Sequence, residues 1–152
     1  MGLTWAEHLS VGNALIDLDH KNLICKVNNV RNAIRARDSF MLKVAFEHLE
    51  DGLCIHYANE ERIAQAVNFD FSAHKQKQQY TLSELQHLRA ELLAKRGIWS
   101  DLAVAHFIGF LKTWMIEDHI VRMNMLMKPT LQSHDYTFLP GCEDDKTIHT
   151  AG

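Results

Sequence analysis

The residues with the clearest chemistry in this chain are histidines. Ten occur among 152 residues, more than chance supplies, and imidazole is the commonest side-chain ligand for transition metals. Four of them, His20, His56, His74 and His119, fall on the apolar stripes of four different helical segments. Glu60 follows His56 by four residues, about one turn, so both side chains point the same way. A buried carboxylate is costly unless a cation or several donors compensate it, and a metal among neutral imidazoles does so directly. Imidazole and carboxylate suit iron, manganese, zinc or copper, and no cysteine stands at these points to favour a softer metal. Iron is preferred, although ligand type alone leaves the other three open.

A single histidine on an apolar stripe is ordinarily a hydrogen-bonded core residue, so the weight lies on the coincidence of four with one glutamate. The other histidines fit less well. His87 and Glu91 repeat the four-residue spacing, but His87 lies 13 positions after His74 and so nearly on the opposite face; His106, 13 positions before His119, faces away for the same reason. His8, His134 and His149 sit in segments without periodicity, and His48 is ambiguous. A ferritin-like di-iron site needs Glu-x-x-His on two helices. Only Glu84-Leu85-Gln86-His87 fits that pattern, on the wrong face.

The elements that must position these groups are four helices. Proline occurs only at 129 and 140, so nothing before Pro129 forbids long helical stripes. The first stripe, from about Asp17 to Ala36, carries His20, Leu23, Ile24, Val27, Val30 and Ile34. The second opens after Ser39, read as its N-cap, and aligns Leu42, Leu49, Leu53, His56, Glu60, Ile63 and Val67. The third opens at Ser72, again read as a cap, and carries His74, Gln78, Thr81, Leu85, Leu88 and Leu92 before the stop signals Lys95, Arg96 and Gly97. The fourth begins near Ser100, presents Val104, Ile108, Met115, His119, Met123 and Leu126, and is expected to end at Pro129. Short connections make neighbours antiparallel, which predicts an all-α, up-down-up-down four-helix bundle over residues 1–128. Residues 1–16 form an arm with Trp5 as anchor, and residues 129–152 an irregular tail. His20 and His74 lie near the starts of their helices, and His56 and His119 toward the ends of theirs, so the four levels are expected to coincide.

Composition narrows the functional classes. Hydrophobic residues make up 47% and charged residues 23%, an ordinary globular balance, in a length that buries a sizeable core without metal or disulfides. The formal charge of −3, with both signs interspersed, gives no footprint for nucleic acid or an anionic membrane. No secretory leader is legible, and the stretch from Leu102 to Leu111 is too short to span a bilayer. Cys25, Cys54 and Cys142 are odd in number and lack any C-x-x-C pair, which argues against a disulfide framework or zinc knuckle and for the cytoplasm.

In their order along residues 5 to about 127, the motifs resemble those of the bacterial hemerythrins. Trp5, Ser10-Val11-Gly12 and Ile16-Asp17-Leu18-Asp19-His20-Lys21 look like the family's opening motif. His56-Tyr57-Ala58-Asn59-Glu60-Glu61 is similar to its second helix, His74 takes the first place of its H-x-x-x-H, and Trp114 with His119-Ile120 resembles its W-L-x-x-H-I. The resemblance implies two non-haem irons bridged by an oxo or hydroxo group, a glutamate and an aspartate, one of them binding dioxygen reversibly. Carried over residue by residue, it puts His20 and His56 on the oxygen-binding iron, His74 and His119 on the other, and Glu60 between them. Gln78 stands in place of the family's second α3 histidine and Asn124 in place of the bridging aspartate. The site therefore has five of seven ligands, and one or two irons per chain are expected. Met123, four after His119, is an alternative thioether donor whose ordinary role is packing.

The expected function is iron-dependent binding of dioxygen or a related diatomic such as nitric oxide, for storage, delivery or sensing. No nucleophile, acid–base pair or substrate cleft is legible, so an enzyme is not expected. The competing expectation is an interaction or signalling module that keeps the bundle with a degenerate metal site.

Overall fold

The computed structural model describes residues 2–133, apart from the side chains of residues 123, 124, 132 and 133. The expected roles of Met123, Asn124, His134, Cys142 and His149 thus lie outside what is described, as does the tail from residue 134. Among the described residues the chain is all-helical. Helix α1 spans Ala14–Ala36, α2 Ser39–Ala66, α3 Ser72–Ala94 and α4 Asp101–Lys112; a π-helical segment, Thr113–Met123, continues α4 and passes into α5, Asn124–Ser133. These last three make the fourth long rod of the bundle. No described helix is long and apolar enough to cross a membrane.

Each of α1 to α4 starts where a side chain takes over a backbone N–H that the first turn leaves without a partner. Asn13 Oδ1 accepts from Ile16 N at 3.1 Å, so α1 begins three residues earlier than its stripe suggests. Asp38, not Ser39, caps α2 by accepting from Met41 N at 3.0 Å. Ser72 is the first residue of α3 rather than its cap, and its own N–H donates to Asp70 Oδ1 at 3.1 Å. At α4, Ser100 Oγ accepts from Ala103 N at 3.1 Å, as the sequence indicates. Where the α1–α2 turn meets the α3–α4 connection, Arg37 donates from Nε to the Trp99 carbonyl at 3.0 Å and pairs with Asp101. Gly97 lies there with φ of 84°, and a Cβ on it would stand 2.5 Å from the Arg37 carbonyl oxygen, so glycine is required.

The inward stripes of α1, α2 and α3 are all buried as read. The fourth rod departs from expectation. Phe107, Leu111, Trp114, Met115, His119 and Ile120 are buried, whereas Leu126 is 63% exposed and Met127 takes its place inside. The reason is the π segment: its backbone bonds span five residues, so Trp114 and His119, and Met115 and Ile120, share a face at a spacing of five, and every later residue shifts relative to an ideal α-helix. Pro129 does not end the rod, which runs to Ser133. A proline inside a helix costs about 3 kcal/mol; burial of Met127 and Leu131 on either side of it offsets that cost.

The core is divided. A larger cluster holds Leu23, Val27, Phe46, Leu53, Tyr57, Leu85 and Met115 among others. A smaller one gathers Val11, Ile16, Ile63, Ala64, Val67, Phe71, Met127 and Leu131 near the start of α1 and the end of α2. The N-terminal arm runs back along α1, where Leu3 exchanges two hydrogen bonds with the Asn28 side chain, at 2.8 and 2.9 Å. Trp5 packs on the larger cluster with Lys21 Nζ 5.2 Å from its ring centre, so it shares the anchoring with Leu3, Leu9 and Val11.

Candidate metal centre

Between the two apolar clusters lies a layer of buried polar side chains. His20 comes from α1, three residues before Leu23 and four after Ile16; His56 and Glu60 come from α2, between Leu53 and Ile63; His119 comes from the π segment, four after Met115. All of these apolar neighbours are 1% exposed or less, so the helical stripes that bury the core also drive the polar groups inward. One ligand atom from each of His20, His56, Glu60 and His119 lies within 4.8 Å of all the others. Glu60, 0% exposed, is the hub: its Oε1 is 3.7 Å from His20 Nε2, 3.8 Å from His119 Nε2 and in close contact with His56 Nε2.

Neighbouring residues fix the orientation of these groups. His56 Nδ1 donates to Asp19 Oδ2 at 3.1 Å, and Asn59 Nδ2 donates to the same oxygen at 3.0 Å. With its Nδ1 proton held by Asp19, neutral His56 turns the Nε2 lone pair into the site, the tautomer a metal requires. Gln78 Nε2 donates to Glu60 Oε2 at 2.9 Å. Neither Asp19 nor Asn59 was given a role by the sequence; the available signal was a carboxylate adjacent to a candidate ligand, one residue from His20.

The electrostatics are those of one carboxylate among imidazoles. Burial alone would raise the Glu60 pKa, but the charge of His56 and hydrogen bonds from His20 and His56 hold it well below the usual carboxylate range. Burial works to lower the pKa of His56, and is overridden by Glu60 and Asp19, which raise it to about 9. His119 is pushed down to about 3 by burial, against the attraction of Glu60, and His20 is also lowered, chiefly by burial. At neutral pH the site thus holds one imidazolium, two neutral imidazoles and a carboxylate. A divalent metal fits this set: it replaces the proton on His56 as the countercharge of Glu60, and nitrogen with carboxylate donors suit iron.

His74 is placed differently from its expectation. It is buried near the start of α3, with its ring stacked on Phe71 at 5.3 Å between centres and edge-on to Phe69 at 5.2 Å. The α3 residue level with Glu60 is Gln78, one turn later, so His119 joins His20 and His56 while His74 stays outside the group of four. His8, His48, His87 and His106 are exposed, and Glu91 pairs with Lys95 at the surface.

Two cavities bear on access. One of about 260 Å³ opens between α2 and α3, lined by Cys54, Tyr57, Glu61, Lys75, Gln78 and Leu82 among others. Gln78 thus touches both this cavity and Glu60. Tyr57 lines it too, with its ring centre 5.5 Å from that of His119; its hydroxyl is buried with no hydrogen-bond partner among the described residues. Another cavity, of about 470 Å³ between Asn29, Asn32, Phe40, Val44 and His48, is lined by none of the four.

No protein-family model matches the chain. It is similar to proteins named bacteriohemerythrin from Pseudomonas aeruginosa strains LESB58 and UCBPP-PA14 and from Pseudomonas paraeruginosa strain DSM 24068 / PA7. Each is 25% identical over 119 residues, covering 78% of this chain and 74% of the relative. This distant likeness, the all-helical fold and the buried histidine–glutamate cluster together support a hemerythrin-like family and a metal-binding site.

Proposed function

We propose that the chain binds non-haem iron at the Glu60 cluster and, through it, dioxygen or a related diatomic such as nitric oxide, for storage, delivery or sensing rather than catalysis. The observation that carries this reading is the convergence of three imidazoles on one buried carboxylate, in a layer closed on both sides by apolar side chains. Iron supplies the open coordination positions at which a diatomic is held. The protein supplies the rest. Asp19 fixes the His56 ring and its tautomer, Gln78 fixes Glu60, and the apolar layers admit small neutral molecules in preference to ions. The α2–α3 cavity is the route of entry, and the Tyr57 hydroxyl is a donor within reach of the site's surroundings.

A reducing compartment belongs to the same reading, because Cys25 and Cys54 are exposed free thiols. The test is anaerobic loading with ferrous iron, elemental analysis, and titration with nitric oxide followed by electron paramagnetic resonance. Stoichiometric iron with a high-spin iron–nitrosyl signal supports the proposal. A fully helical protein that takes up no iron would leave the signalling-module reading in its place.

A further inference from the structure

Glu60 offers its two oxygens to different partners. Oε1 faces the Nε2 atoms of His20, His56 and His119, and Oε2 accepts the Gln78 amide at 2.9 Å. Both side chains are buried, Glu60 at 0% and Gln78 at 4% exposure. A carboxylate oxygen only accepts, so the amide presents its electropositive NH₂ to Oε2. That bond takes up one lone pair of Oε2 from the side of α3, the helix that also carries His74, so a cation shared between Oε2 and His74 would have to displace the amide and leave a buried donor without an acceptor. A bridging carboxylate gives one oxygen to each metal, and here the α3 side of one oxygen already holds a hydrogen bond. Nor does a second ligand set form: among the described residues one group of histidine, cysteine, aspartate or glutamate has its ligand atoms gathered, and His74 is outside it.

We infer that the site is a one-metal centre of His20, His56, His119 and Glu60 bound through Oε1 alone, with Gln78 as the positioning residue that holds this single-oxygen mode. The inference deepens the proposed function and rests on it. The described donors do not fit the two-metal arrangement that the family resemblance implies. Three histidines and one monodentate carboxylate leave positions for an exogenous ligand on a single ion. Gln78, which also lines the α2–α3 cavity, then sits beside the route such a ligand takes.

The test uses the intact chain, ferrous iron for stoichiometry and cobalt(II) as a spectroscopic probe. Wild type should bind one metal per chain by elemental analysis and equilibrium titration. His74→Gln should leave content and affinity unchanged within about twofold, whereas His119→Gln should weaken binding by about 100-fold or more. Gln78→Met keeps the length of the side chain without its donor. It should still bind one metal, about 10- to 100-fold more weakly, and its cobalt(II) visible spectrum should change as the released oxygen becomes free to coordinate. A role in packing alone would lower the melting temperature and leave that spectrum as in wild type. Two metals per wild-type chain would overturn the inference while leaving the iron-binding reading intact, as would a His74→Gln loss equal to that of His119→Gln, or an unchanged Gln78→Met spectrum. A wild type that binds no metal would overturn both.

Discussion

Among the described residues Glu60 carries the only negative charge in the clustered group, so it should decide whether metal stays. Glu60→Ala is expected to remove most bound iron, measured by elemental analysis after desalting, with helicity retained by circular dichroism; wild-type iron content in that variant would refute the ligand assignment. Asp19 acts one step further out, through the His56 ring, and Asp19→Ala should weaken metal binding by about 10- to 100-fold without abolishing it. The His56 pKa of about 9 adds a pH dependence whose sign is fixed. It is raised above the unfolded value near 6.5, so the His56–Glu60 pair stabilises the metal-free fold fully below the unfolded pKa and loses that contribution as pH rises through about 9. The metal needs the neutral ring. Near neutrality uptake should therefore release about one proton, and affinity should climb about tenfold per pH unit until His56 titrates, with release falling to zero above about pH 10. His20 and His119 have lowered pKa values and contribute no proton there. Calorimetry in buffers of different ionisation enthalpy measures this release, and no proton release at neutral pH would refute the charge assignment. Of the four clustered residues, all were legible from the sequence, because each sits on an apolar stripe at a helical spacing from large aliphatic residues. Asp19 and Gln78 were not legible as partners, since their contacts cross between helices at separations of 37 and 18 residues.

The elements explain why three stripes were read correctly and the fourth was not. The α1, α2 and α3 patterns follow a 3.6-residue period throughout, and their buried residues match it. In the fourth rod Trp114 precedes His119 by five residues, one more than the W-L-x-x-H-I pattern has, and the Thr113–Met123 π segment absorbs that extra residue. A reading at constant α-period passes through it and selects Leu126, where the structure buries Met127. Helix starts were legible to within one to three residues: α1 begins at Ala14 rather than about Asp17, and Ser39 and Ser72 are cap-type residues, but Asp38 and Asp70, one and two positions earlier, make the bonds. The α3–α4 connection yields a prediction at this scale. Gly97→Ala would combine a left-handed φ with a Cβ 2.5 Å from the Arg37 carbonyl, and should destabilise the fold by about 1–3 kcal/mol in urea denaturation. His20 and Arg37 are separated by about 25 Å of helix, so metal affinity should be unaffected. Unchanged stability would mean that the Arg37 turn is not held as described.

At the scale of the whole molecule, four rods bury two apolar clusters, and among the described residues the polar layer between them gathers one group of metal-ligating side chains. The scaffold therefore predicts what it would take to build the second site. Gln78→His exchanges the amide on Glu60 Oε2 for an imidazole, one turn from His74 on the same face of α3. Asn124→Asp supplies a second carboxylate on the fourth rod, five residues after His119. On an ideal α-helix that separation turns a side chain away by about 140°. The π segment Thr113–Met123 has a wider register than an α-helix, in which residues five apart share a face, and that is the register the aspartate requires. Together the two changes should raise iron toward two per chain and give the near-ultraviolet and visible absorption of an oxo-bridged pair. Each alone should do less: the histidine adds a ligand to a metal that still lacks its second bridge, and the aspartate adds a bridge while Gln78 still holds Oε2, so their effects are coupled rather than additive. Iron titration and absorption spectra of wild type, both single variants and the double variant test this. A double variant that still binds one iron, with a wild-type spectrum, would show that the rods are spaced for a single ion and that more than these two side chains keeps the second one out.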